Sequence, residues 1–71
     1  MSDTELEHLI QMANQIAVNF SFHADAEDRV LDHLTRFWAP SMRQSLLDYV
    51  REGGAELDAV VVAAASRLAS E

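Results

Sequence analysis

Residues 32–43 read DHLTRFWAPSMR. This run holds the chain's one tryptophan and one proline, Trp38 and Pro40. Just upstream and into it, Val30, Leu31, Leu34, Phe37 and Trp38 recur at the spacing of one helix face. Asp32 stands four residues before Arg36 and three after Arg29, so the polar side pairs its own charges. Proline lacks a backbone N–H and pushes the residue before it, here Ala39, away from helical geometry. A helix therefore ends near Trp38, and Pro40 suits the first position of the next. Two helices meeting at a tight corner, with a large ring able to fill the gap between them, begin an all-α fold.

The same pattern extends in both directions. A first helix is predicted from about Thr4 to Phe22, its inner face carrying Leu6, Leu9, Ile10, Ala13, Ile16, Ala17 and Phe20. Ser2 with Glu5 forms a capping box for it, with Asp3 as an alternative cap. The second helix spans about Asp25 to Trp38, with Asp25 as N-cap and Glu27 and Asp28 suited to the positive helix start. The third spans about Ser41 to Glu52, with Met42, Leu46, Tyr49 and Val50 on one side and Gly53-Gly54 as a left-handed stop. The fourth spans about Asp58 to Ala69, with Asp58 as N-cap and Leu57 and Val62 as a hydrophobic staple. AVVV at 59–62 alone resembles a strand, but it has no partner run and alanines follow it. The expectation is a small all-α domain of three to four short helices, one domain over 1–71.

The chain has 71 residues and no cysteine. A chain this short buries little core and, without disulfides or thiolate metal sites, leans on a partner. Twelve Asp and Glu stand against five Arg and no Lys, a net charge of -7. That balance argues against nucleic acid and anionic membranes as partners. No apolar run approaches the roughly 18 residues of a membrane span. The acidic start MSDTELEH does not resemble a signal peptide, and a cytoplasmic location is expected.

Nothing in the chain assembles into a catalytic constellation. His8, His23 and His33 share no helix turn, and Asp32 and His33 point in different directions on a helix. Ser41 and Ser45 have no nearby base, and Gly53-Gly54 is a helix stop rather than a phosphate loop. What does stand out is the stretch from His8 to Ala24, HLIQMANQIAVNFSFHA, which has no Asp, Glu, Lys or Arg. Opposite its core face lie Gln11, Gln15, Val18 and Phe22, flanked by Asn14 and Asn19. Neutral amides among apolar groups suit a partner-facing surface, because they hydrogen-bond without desolvating ions.

Three strings, MANQIAVNF at 12–20, DHLTRFWAPSMR at 32–43 and GGAELDAVVVAAASRL at 53–68, resemble in order and spacing the delta subunit of NAD-dependent, molybdenum-containing formate dehydrogenases. The likeness runs from about Leu6 to Leu68. Met12, Ala13, Asn14, Gln15, Ile16, His33, Phe37, Trp38, Pro40, Met42, Arg43, Gly53, Gly54 and Leu57 map onto the family's strings. The resemblance implies a small, non-catalytic accessory subunit of a cytoplasmic complex, linked to stability of the alpha subunit or to cofactor loading. It implies bis-molybdopterin guanine dinucleotide in alpha, iron–sulfur clusters and FMN in the beta and gamma subunits, and no cofactor in this chain. The alternative from the residues alone is a self-associating helical protein. Where the family commonly has an acid before the proline, this chain has Ala39. It has Ser41 where a basic residue is common. The third helix should thus forgo a cap worth roughly 0.5–2 kcal/mol.

Phe37 and Trp38 lie about 100° apart on a helix, so only one of them can fully serve the inner stripe. Arg43 has no acid at position 41 or 47 to hold it. An anchor aromatic beside an unpaired Arg is a common make-up for an interface hot spot. The expected partner surface is therefore Gln11, Asn14, Gln15, Val18 and Phe22, joined by Trp38, Pro40 and Arg43.

Overall fold

The computed structural model describes residues 3–69 and places in them α1 (Asp3–Asn19), α2 (Ala26–Phe37), α3 (Pro40–Arg51) and α4 (Ala59–Ala69). The described residues contain four helices and no strand, the all-α architecture that the breaks predicted. Ser2, half of the expected capping box, lies outside the described residues.

α1 ends three residues earlier than its periodicity suggested. Val18 O accepts both the Ser21 N–H (3.2 Å) and the Ser21 hydroxyl (2.8 Å), and the chain leaves the helix here. Serine competes in this way with regular helix because its hydroxyl reaches nearby backbone. Phe22 consequently sits in a turn and not on the helix face where the sequence placed it.

α2 begins after Asp25, which occupies the N-cap position without capping through its side chain. Its carboxylate instead takes Arg29 Nε at 2.8 Å. That hydrogen bond holds Asp25 below the ordinary carboxylate range. Asp32 pairs with Arg36 at 2.8 Å, as its spacing predicted.

The corner follows proline chemistry. Ala39 is extended (φ -64°, ψ 151°) and Pro40 opens α3, with no side-chain cap on that helix. At the other end of α3 the Gly53 N–H bonds Val50 O and the Gly54 N–H bonds Tyr49 O, each at 3.0 Å. These two bonds form a Schellman stop. Both glycines have positive φ, 125° and 62°.

α4 starts as predicted, with Asp58 Oδ1 accepting the Val60 N–H at 3.0 Å. It packs chiefly on α2, where Val61, Ala64 and Ala65 are fully buried and let the two backbones approach. Arg67 crosses from the last turn of α4 to Glu27 (3.1 Å) and Asp28 in the first turn of α2. The opposed helix ends favour this pairing.

The core joins Leu9, Ala13, Ile16 and Ala17 of α1 to Val30, Leu31 and Leu34 of α2, with Trp38, Leu46, Val61, Ala64 and Ala65. No buried polar side-chain atom lacks a hydrogen-bond partner among the described residues.

Candidate partner interface

The structure divides the eight residues singled out for a partner into two groups. Gln11, Gln15 and Val18 are exposed on α1, and Gln15 donates only to Asn19 Oδ1 at 3.2 Å. Phe22 is 95% exposed in the turn that follows. Pro40 is exposed at the start of α3. The other three are engaged inside the molecule.

Asn14 is a clamp. Its Nδ2 donates to Glu56 O and its Oδ1 accepts the Asp58 N–H, both at 2.8 Å. A carboxamide offers a donor and an acceptor side by side, so it can substitute for one rung of a backbone ladder. Here it fixes the α3–α4 loop at Glu56, whose φ of 70° is unusual for a side chain that is not glycine. Tyr49 supports the same loop by donating its hydroxyl to Ala55 O at 2.7 Å.

Trp38 is buried, 4% exposed, and fills the α2–α3 corner. Of the two roles its position allowed, filling the gap between the helices is the one the fold uses, which leaves Trp38 little surface for a partner. Buried Val30, Leu31, Leu34 and Trp38 centre on one direction, and at 100° per residue Phe37 lies about 75° off that centre. Phe37 is accordingly the ring that is left outside, 71% exposed. The apolar stripe assigned to α2 therefore loses Phe37.

Arg43 also differs from the expectation. Its guanidinium reaches back to α2 and donates to Leu34 O (3.4 Å), Thr35 O (3.3 Å) and Trp38 O. Its partners are backbone carbonyls, not acids. The last carbonyls of a helix carry partial negative charge and lack intrahelical donors, so a cation fits there. One side chain of α3 thus caps α2 and closes the corner over Trp38.

An aromatic surface that the sequence did not single out lies beside these residues. His33 and Phe37, one turn apart on α2, have ring centroids 4.9 Å apart. Phe20 meets His33 edge-on at 6.5 Å and His23 at 6.0 Å. Phe20, His33 and Phe37 line a crevice bordered by Asp25, Asp28 and Asp32. The i, i+4 spacing of His33 and Phe37 was a usable signal. It was masked because Phe37 also fits the apolar period.

This surface offers two phenyl rings, an imidazole and three carboxylates. Among the described residues no group of three or more His, Asp or Glu could hold a metal ion. The chain has no cysteine for an iron–sulfur cluster. No helix among the described residues is long and apolar enough to cross a membrane.

The family model of the NADH-dependent formate dehydrogenase delta subunit FdsD matches residues 8–65. The chain belongs to that family. No curated protein matches it, and no solved structure does. A delta subunit is by its name one member of a multi-subunit formate dehydrogenase. In this FdsD-family chain the three strings that carried the resemblance meet in space. Asn14 from the first string holds Glu56 and Asp58 of the third, while Trp38 and Arg43 of the second seal the α2–α3 corner. At these positions the strings describe how the domain is tied together.

Proposed function

We propose that this chain is a non-catalytic accessory subunit of a cytoplasmic, NAD-dependent, molybdenum-containing formate dehydrogenase. It docks on the alpha subunit and stabilises it or assists its cofactor loading. The observation that carries this reading, beside the family match, is the exposure of Phe22 (95%) and Phe37 (71%) on so small a chain. Large rings held in water lose the burial that drives folding, and aromatic residues are enriched where one protein meets another. Phe20 and His33 extend the surface around Phe37, and Val18, 57% exposed, precedes the turn that carries Phe22. On this reading bis-molybdopterin guanine dinucleotide, iron–sulfur clusters and FMN reside in the alpha, beta and gamma subunits.

The test is co-expression of the chain with the alpha, beta and gamma subunits, followed by purification on a tag carried by alpha. Wild type should co-purify stoichiometrically, and F22S/F37S should be lost from the complex while keeping its helical circular dichroism. Equal recovery of the double variant would remove the aromatic surface from the contact. Failure of the wild type to co-purify would remove the accessory-subunit reading itself.

A further inference from the structure

A separate crevice runs between α1 and α3. Its floor is apolar and half-buried: Leu6 and Ile10 from α1, and Tyr49 from α3. The crevice consists of two adjoining hollows that share Leu6 and Tyr49: Glu7 and Glu56 border one, and Glu5, Glu52 and the Arg51-paired Asp48 border the other.

The ion pairs of the described residues make this rim distinctive. Asp25, Glu27, Asp28, Asp32 and Asp48 each face an arginine. The Asp58 carboxylate caps α4. Glu5, Glu7, Glu52 and Glu56 make no ion pair or side-chain hydrogen bond among the described residues, and all four border these hollows. No arginine lines them. Four like charges around an apolar floor repel one another in the free chain, and a cationic occupant relieves that repulsion.

We infer that the α1–α3 crevice docks a basic segment of another protein chain. That segment places an apolar side chain on the Leu6–Ile10–Tyr49 floor, with Lys or Arg on either side of it. A second copy of this chain fits poorly, since it has no lysine and would bring the same carboxylates. Nucleic acid is repelled for the same reason. The inference rests on the reading of the chain as a subunit of a larger complex, and it adds a second contact whose character is electrostatic. Charged rims of this kind act mainly on association rate and salt dependence.

The decisive measurement is binding of the purified chain to the formate dehydrogenase complex assembled without it, at low and at high salt. The variant E5Q/E7Q/E52Q/E56Q keeps side-chain size and removes no ion pair or side-chain hydrogen bond among the described residues, so its helicity should match wild type. It should bind about tenfold more weakly at low salt and show little further weakening as salt is raised. F22S/F37S, which leaves the crevice intact, should retain the salt dependence of whatever binding it keeps. Quadruple-variant binding with wild-type strength and wild-type salt dependence would overturn the inference and leave the accessory-subunit reading standing. Absence of wild-type binding would overturn both. A wild-type dimer that tightens on Glu-to-Gln exchange would assign the crevice to self-association and overturn the inference.

Discussion

Asn14→Ala separates a folding role from a docking role more sharply than any other single change. The alanine removes both bonds of the clamp, to Glu56 O and from Asp58 N, each 2.8 Å long in the structure. A hydrogen bond of this kind contributes about 1 kcal/mol net. The two backbone groups border solvent, so water replaces part of what is lost, and the expected loss is about 1–2 kcal/mol. A domain of this length has roughly 4–10 kcal/mol in total. The corresponding drop in Tm is about 5–15 °C. Urea unfolding followed by circular dichroism measures the energy. Hydrogen exchange at the Asp58 amide, which should lose its protection, measures the place. Asn14→Asp sharpens the test, because the new carboxylate keeps the acceptor but sets a second oxygen against Glu56 O. It should be no better than alanine at neutral pH. If Asn14→Ala unfolds within about 0.3 kcal/mol of wild type, below the cost of even one such bond, the clamp is not a stabilising device. A surface contact for the amide, as the sequence suggested, would then be the better account.

Three further outcomes follow from the same geometry. Arg43→Ala should cost about 1–2 kcal/mol by removing the guanidinium from the carbonyls of Leu34, Thr35 and the C-cap Trp38, which urea unfolding of the free chain would read. Gly54→Ala should cost about 1–2 kcal/mol through the left-handed backbone at φ 62°, since the added methyl meets Val62, Val50 and Leu57 only at 3.5–3.7 Å; the midpoint of thermal unfolding checks this. Asp25 has a lowered pKa caused first by its Arg29 hydrogen bond, so the pair stabilises the fold above the carboxylate's usual 3.8 and the contribution fades as pH falls through the lowered value. Asp25→Asn should therefore be less stable than wild type at neutral pH and converge with it in strong acid, as a pH series of denaturation curves would record.

The helices and their breaks were legible because their causes are local. Pro40 constrains Ala39 whatever surrounds it, Gly53 and Gly54 accept positive φ at once, and Asp58 reaches an N–H two residues away. The acidic balance and the three family strings are likewise properties of the chain alone. The end of α1 was legible only in part. Its period ran on to Phe22, while the backbone turns after Asn19, with the Ser21 N–H and hydroxyl both on Val18 O. Three assignments waited for the tertiary structure. Phe37 and Trp38 are both apolar and adjacent, and where α4 and α3 approach α2 decides which ring is buried. Asn14 finds partners 42 and 44 residues away, and no pattern on one helix can place a loop over it. Arg43 binds carbonyls, which every residue carries, so no spacing of acids could reveal its partner. Local backbone chemistry is written in the order of residues, whereas the use of a polar or aromatic side chain depends on which distant surface folding brings within reach.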